Sequence, residues 1–195
     1  MEKRKYLTER EINLLLDSAN KGQNAERNYC MILMAYRHGF RISELLALTM
    51  ADIDMQSGVI YVNRLKNGFS VYHPLSDDEY HALSKWLYLK KMTSSDIMSE
   101  AIFTNSSGTV ISRSQAWKII SKCGIESKIG FRVYPHMLRH SCGYKLAECG
   151  TDTRLIQDYL GHKNIRHTVL YTKSNFNRFK GLWGESPPHT YLNEY

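Results

Sequence analysis

The sequence lacks the patterns that mark several common classes of enzyme. It has no CxxC pair and no zinc-ligand spacing, so its cysteines do not predict a zinc module. It also has no P-loop, no HExxH motif and no acidic cluster that would bind a metal. The sequence therefore carries no signal for a cofactor or a metal, and we expect neither.

Segments that direct a chain to a membrane are also missing. The N-terminus, MEKRKYLTEREINLLL, is charged from its start, and no apolar run approaches the roughly 20 residues that a membrane span requires. No internal repeat, low-complexity tract or linker divides the chain. We expect a cytoplasmic location, one domain over residues 1–184, and a loose C-terminal tail over residues 185–195 that carries Pro187 and Pro188.

The composition is that of a folded, basic protein. Of the 195 residues 43% are hydrophobic, and 26 Lys plus Arg against 19 Asp plus Glu leave a formal charge of +7. This excess favours a polyanionic partner such as nucleic acid, although an ordinary basic surface explains it equally well. The four cysteines fall among apolar residues at helical spacing, which indicates reduced thiols in a core.

Helix signals dominate the chain. Thr8 and Glu11 form a capping box that predicts the start of the first helix, and Ser76 and Glu79 form a second one. The segment ERNYCMILMAYRHG predicts another helix, which Gly39 would end. Three more helical segments, SRSQAWKIISKCG, PHMLRHSCGYKLAECG and DTRLIQDYLG, each end at a glycine.

One segment has a composition typical of β-strands. GVIYVNRLKNGFSVYHPL is rich in β-branched and aromatic residues on both sides of a turn signal at Lys66, Asn67 and Gly68, which predicts a β-hairpin. AIFTN would add a third short strand. The predicted fold class is α+β, mainly helical, with a small antiparallel sheet.

Two arginine motifs could bind phosphate. In YPHMLRHSCGYKL, His136 and Arg139 are three residues apart and share one helix face, and Gly143 would let a backbone come close. A guanidinium fork matches a phosphate, and an imidazole can move a proton near neutral pH. In HGFRISELLAL, Arg41 follows Gly39 at a helix junction and could be a second clamp. The alternatives are a surface ion pair for Arg139 and an Arg41–Glu44 pair within one turn.

The segment LGHKNIRHTVLYT brings further candidates. His162 follows Gly161 at a predicted helix end, and Asn164 could cap a short helix that carries Tyr171. Lys66 lies near the tip of the predicted hairpin, where it could reach a ligand or be a solvated surface lysine.

These motifs, in this order, resemble those of the tyrosine site-specific recombinases, also called the lambda-integrase family. GFRISEL matches the first arginine motif, RLKNG matches the lysine-bearing hairpin turn, HMLRH and LGH match the two histidine motifs, and Tyr171-Thr172 matches the nucleophile. DTRLIQDYLGHKNIRHT and GLW are similar to the FimB/FimE-type members, which invert a promoter-bearing DNA segment and so control fimbrial phase variation. The resemblance implies the catalytic-domain fold without a separate N-terminal core-binding domain, because only about 40 residues precede Arg41.

The resemblance also implies a role for each matching residue. Tyr171 would attack a scissile phosphate to form a 3′-phosphotyrosyl bond, with His136 as the group that takes its proton and Lys66 as the acid for the leaving 5′-oxygen. Arg41 and Arg139 would stabilise the developing charge. His162 would bind the phosphate or support the helix of the tyrosine, and Glu44 would orient its neighbours.

The partners follow from the resemblance in the same way. They are double-stranded DNA with inverted-repeat sites, a homotetramer with two subunits per site, and accessory DNA-bending proteins, and the protein would be associated with the nucleoid. Phe176, Phe179, Leu182 and Trp183 would lie on one side of a final helix, suited to docking on a neighbouring subunit or to packing on the chain's own core. The alternatives are a type IB topoisomerase-like enzyme and a catalytically idle DNA-binding regulator.

Overall fold

The structure is a computed structural model that describes residues 4–64, 68–93 and 99–173. Within these ranges the α-helices are α1 (Glu9–Ala19), α2 (Ala25–Arg37), α3 (Ile42–Leu46), α4 (Asp77–Thr93), α5 (Arg113–Glu126), α6 (Pro135–Glu148), α7 (Thr153–Leu160) and α8 (Arg166–Thr172). A short 3-10 turn, Met50–Asp52, follows α3. The strands are β1 (Ile53–Asp54), β2 (Val59–Val62) and β3 (Val71–Pro74). No helix in the described ranges combines the length and the apolar character that crossing a bilayer requires.

Helix α2 lies at the centre of the core. Four consecutive side chains, Met31 to Met34, are almost fully buried, so the helix is covered on all sides. It packs against α1, α4 and α6. Helix α1 begins as predicted, because the Thr8 hydroxyl accepts a hydrogen bond from the Glu11 amide and the Glu11 carboxylate accepts one from the Thr8 amide.

The sheet is antiparallel, in the order β1-β2-β3. Strands β2 and β3 form the predicted hairpin, with Ile60 opposite His73 and Val62 opposite Val71. Burial alternates along β2, and the inward Ile60 and Val62 are fully buried in the core. The predicted fold class, mainly helical with a small antiparallel sheet, is confirmed.

Three local predictions were wrong. The third strand is β1 and not AIFTN, whose Ala101 and Thr104 make only isolated bridges to Thr49 and Val110. Helix α5 continues through Gly124, the glycine of ISKCG, and ends at Glu126. Gly124 does not end the helix but makes room for Val133, whose Cβ would lie 2.6 Å from an added Cβ. Of the four cysteines three are buried as expected, but Cys149, at the end of α6, is exposed.

Three predictions lie outside the described residues. They concern Lys66, the aromatic stripe from Phe176 to Trp183, and the tail over residues 185–195.

Candidate active site

The residues predicted from the two arginine motifs and from LGHKNIRHTVLYT meet where α6, α7 and α8 pack together. Arg139 lies on α6, His162 follows α7, and Tyr171 lies on α8. Arg41 joins them from the N-terminal cap of α3. Segments that are far apart in sequence therefore supply one cluster.

A buried carboxylate, Glu44, links the arginines. Its Oε1 accepts a hydrogen bond from Arg41 Nη1 at 2.5 Å, and its Oε2 accepts one from Arg64 Nη1 at 3.1 Å. Arg139 Nη1 lies 3.9 Å from Oε2. Burial alone would raise the pKa of Glu44, but the hydrogen bonds from Arg41 and the positive charge of Arg64 hold the pKa below its usual range. The Arg41–Glu44 pair considered from the sequence is present, within a larger ion network.

Arg139 is almost fully buried and crosslinks two backbone turns. Its Nη1 donates to the carbonyl of Gly39 and its Nη2 to the carbonyl of Leu160, both at 2.6 Å. Burial, together with the charges of Arg64 and Arg41, lowers the pKa of Arg139 to about 10, so the side chain stays charged at neutral pH. The backbone at the ends of α2 and α7 therefore fixes the orientation of this guanidinium.

Tyr171 is 2% exposed and sits between aromatic rings. The Tyr144 ring meets it edge-on with centroids 5.1 Å apart, and the His162 ring is roughly parallel to it at 6.2 Å. Burial raises the pKa of Tyr171 to about 12, although the charge of Arg139 acts in the opposite direction. The phenol is therefore protonated at neutral pH in this structure.

Gly143 makes the space that the tyrosine ring occupies. A Cβ added at Gly143 would lie 2.5 Å from Tyr171 Cε2 and 2.7 Å from its Cζ. The sequence suggested that Gly143 lets a backbone come close, and that interpretation was wrong. Gly143 lies on α6, and the group that packs against it is the side-chain ring of Tyr171 on α8.

His162 supports the helix that carries the tyrosine. Gly161 ends α7 in the left-handed conformation, with φ at 62°, and the chain then turns so that His162 is buried. Its Nδ1 lies 2.9 Å from the Thr168 hydroxyl on α8. The N-terminal cap of α8 is Ile165 and not Asn164 as predicted, but Asn164, one residue earlier, still accepts a hydrogen bond at its Oδ1 from the Arg166 amide, at 2.9 Å.

The imidazole at the Tyr171 hydroxyl is His140, which the sequence did not single out. His140 Nδ1 lies 3.1 Å from Tyr171 Oη, whereas His136, one turn earlier on α6, is exposed. The two imidazole rings are edge to face, with centroids 4.6 Å apart. Partial burial and the charges of Arg139 and Arg41 lower the pKa of His136. His140 belongs to the HMLRH motif, and its i+4 spacing from His136 was the available signal.

Arg64 is a second residue that the sequence did not single out. Its side chain is fully buried, and Nη2 donates to the carbonyls of His38 at 2.8 Å and Tyr159 at 2.6 Å. It stands two residues before Lys66 and ties that end of β2 to the α2–α3 turn and to α7. No sequence signal separates this arginine from a solvated one in NRLKNG, because its burial depends on α7.

The buried histidines predict that stability falls in mild acid. Burial, together with neighbouring positive charge, lowers the pKa of both His73 and His162 to about 3. Below the unfolded-state pKa of about 6.5 the unfolded chain therefore binds protons that the folded chain does not. Each group should remove about 1.4 kcal/mol of unfolding free energy per pH unit from pH 6.5 down to about 3, and nothing above pH 6.5.

Urea unfolding at pH 7.5 and at pH 5 measures this loss. We expect these two histidines to lower the unfolding free energy at pH 5 by about 4 kcal/mol, and His140, whose pKa burial lowers to about 4, to lower it by up to about 2 kcal/mol more, since solvent screens this half-buried ring. An exposed histidine, His81, provides the control, since His81→Gln should leave the pH dependence unchanged. Equal stability at the two pH values would contradict the burial of neutral imidazoles.

Comparison with known proteins gives a family and several relatives. The model of the Phage integrase family matches residues 5–178. The type 1 fimbriae regulatory protein FimE of Escherichia coli (strain K12) is 52% identical over 183 residues, which cover 94% of this chain and 92% of FimE. FimB of the same strain is 50% identical over 182 residues, covering 93% of this chain and 90% of FimB. Among solved structures, the XerA recombinase superposes with a TM-score of 0.78 at 25% identity, covering 97% of this chain and 66% of XerA.

Proposed function

Since the chain belongs to the phage integrase family and is a tyrosine recombinase of the FimB/FimE type, a DNA strand-transferring enzyme, we propose that it cuts and rejoins DNA through a covalent bond to Tyr171. The observation that carries this proposal is the placement of Tyr171 against His140 and His162, with the charge of Arg139 close enough to affect its pKa. A phenol in that position has the cations and the proton acceptor that attack on a phosphodiester requires.

The proposed reaction needs only side chains of this protein. Tyr171 Oη forms a bond to the phosphorus as its proton passes to a neighbouring imidazole, and the bond from phosphorus to the 5′-oxygen breaks as that oxygen takes up a proton. A 3′-phosphotyrosyl link and a free 5′-hydroxyl result. Arg41 and Arg139 stabilise the charge that develops on the non-bridging oxygens, an effect worth about 3–4 kcal/mol for one well-placed donor. The exposed His136 contacts the phosphate, and His162 holds α8 in place through Thr168. A 5′-hydroxyl from a partner strand reverses the reaction and rejoins the DNA.

Lys66 is proposed as the acid that protonates the leaving 5′-oxygen, and Arg64 supports this role because it anchors the strand that ends just before it. We expect Lys66→Ala to slow cleavage of ordinary DNA about 10²–10⁴-fold. A substrate with a 5′-bridging sulfur should restore most of the rate, because a thiol with a pKa near 8.5 leaves without protonation. Single-turnover cleavage of both substrates checks this, and equal defects on the two would contradict the assignment.

The proposed biological role comes from the relatives. FimE and FimB are regulatory proteins of type 1 fimbriae, and we propose that this chain inverts a promoter-bearing segment and so controls fimbrial phase variation. Inversion would use two inverted-repeat sites, four subunits, and accessory proteins that bend the DNA. Residues 1–184 would form the catalytic domain, and the formal charge of +7 suits binding to the phosphate backbone.

An inversion assay tests the function. Binding sites are first selected from fragmented genomic DNA with the protein. Two copies of a site are then cloned as an inverted pair in a supercoiled plasmid. Amplification across the DNA segment between the two sites reports its orientation. We expect inversion without added nucleotide or divalent metal. Relaxation of plasmids without these sites would favour the topoisomerase-like alternative, and site binding without any cleavage would favour the idle regulator.

A further inference from the structure

The contact between His140 and Tyr171 joins two helices at the reacting atom. His140 lies on α6 and Tyr171 on α8, and the nitrogen Nδ1 is 3.1 Å from the phenolic oxygen. The two rings meet edge-on, at 64°, with centroids 5.9 Å apart. This distance is within hydrogen-bonding range, so the phenol can donate to the ring nitrogen when His140 carries its own proton on Nε2.

The surroundings fix this geometry. The tyrosine ring fills the space above Gly143, and the edge of Tyr144 confines it on another side. His140, Gly143 and Tyr144 stand on neighbouring turns of the same helix. The helix that carries the imidazole therefore also positions the phenol.

We propose that His140 Nδ1 is the base that takes the proton of Tyr171 during DNA cleavage, an inference that rests on the function proposed above. As Oη bonds to phosphorus and the 5′-oxygen leaves, the phenolic proton passes to Nδ1 and the leaving oxygen takes a proton from Lys66. Rejoining runs the same transfers backwards, so His140 returns to its neutral form.

The charges around His140 are consistent with this role. The groups that face it are His136 and Arg139 on the same helix, Lys5 from the N-terminal segment, and Tyr171 on α8. Burial, with the nearby His136 ring and the positive charges of Arg139 and Lys5, lowers the pKa of His140 to about 4, so that the ring is neutral and can accept a proton at pH 7. A phosphate bound beside the tyrosine adds negative charge, which raises the proton affinity of the ring when it is needed.

This proposal replaces the sequence-based role of His136. His136 is exposed, and its ring lies 4.6 Å from that of His140, whereas it is His140 Nδ1 that lies 3.1 Å from the buried phenolic oxygen. It is therefore placed to meet DNA from outside, while His140 serves the nucleophile.

The variant His140→Asn separates proton transfer from positioning. Its side-chain oxygen can stand near the place of Nδ1 and accept the same hydrogen bond, but an amide does not take up a proton. We expect Tyr171 adduct formation to be about 10²–10⁴-fold slower at pH 7 and to accelerate with rising pH as phenolate forms without help. The sulfur-bridged substrate should not rescue this variant, although it rescues Lys66→Ala.

The outcomes are distinct. Adduct formation by His140→Asn within about threefold of wild type, or rescue by the sulfur-bridged substrate, would overturn the proposal. His81→Asn, on the exposed side of α4, is the matched control and should cleave like wild type. If the wild-type protein forms no adduct with either substrate, the proposed function has failed and not merely the role of His140.

A second measurement covers the case in which the variant does not fold. Nitrogen NMR of histidine-labelled wild-type protein reports which ring nitrogen carries the proton. We expect His140 to carry it on Nε2, with Nδ1 accepting from the phenol, and we expect the Nδ1 signal to shift in Tyr171→Phe. A proton on Nδ1 in the wild-type protein would overturn the proposal.

Discussion

Replacing Tyr171 by phenylalanine should abolish covalent attachment to DNA and leave the fold intact. The change removes one oxygen, which is the proposed nucleophile, and keeps the ring that fills the space at Gly143. The structural loss is the hydrogen bond to His140, worth about 1 kcal/mol. Incubation with a nicked duplex that carries the binding site, followed by denaturing electrophoresis, measures the adduct, and urea unfolding measures the stability.

Tyr144→Phe is the matched control for this experiment. Tyr144 is the half-buried aromatic neighbour of Tyr171, and its hydroxyl has no role in the proposed chemistry. We expect this variant to form the adduct at close to the wild-type rate. An adduct that persists in Tyr171→Phe would mean that another residue attacks the DNA.

Replacing Glu44 by alanine should cost about 3–5 kcal/mol of unfolding free energy, a large share of the 5–15 kcal/mol that a domain typically has. The carboxylate is fully buried and pairs with Arg41 and Arg64, and Arg139 is close by. Without it three positive charges face one another in a site from which water is largely excluded. We also expect slower DNA cleavage, because Arg41 loses the partner that orients it.

Two further variants serve as controls for the Glu44→Ala measurement. Glu44→Gln keeps the shape and an accepting oxygen but not the charge, so its loss should be smaller than that of Glu44→Ala. Glu9→Ala removes an exposed ion pair with Lys145 and should cost less than about 1 kcal/mol. Equal, small losses for Glu44→Ala and Glu9→Ala in urea unfolding would contradict the role of Glu44 as the link among the arginines.

Local signals in the sequence were sufficient for most of the fold. The capping box at Thr8 and the hairpin texture around Lys66 depend on neighbours within a few residues, and both elements formed where expected. The third strand could not be predicted in this way. Ile53 and Asp54 pair with Ile60 and Val59. This pairing depends on tertiary packing, and a two-residue segment has no sequence pattern that predicts it.

The residues of the candidate site also fall into two groups, those that the sequence could identify and those whose contacts depend on tertiary packing. The sequence could name Arg41, Arg139, His162 and Tyr171 as candidates because their motifs resemble those of a known family, and the structure brings these residues into one cluster. The contacts of His140 and Arg64 could not be predicted, because each depends on a partner at least 20 residues away, such as Tyr171 on α8 or Tyr159 on α7. A helical pattern shows that His136 and His140 share a face, but only packing decides which of them meets the tyrosine.

Identification of the residue that becomes linked to DNA tests the central claim most directly. The adduct is formed on a nicked duplex, digested with protease and nuclease, and sequenced by mass spectrometry. We predict a single modified peptide from α8, with Tyr171 bonded to a 3′-phosphate and a free 5′-hydroxyl on the other DNA end. A link to any other residue, or to a 5′-phosphate, would contradict it.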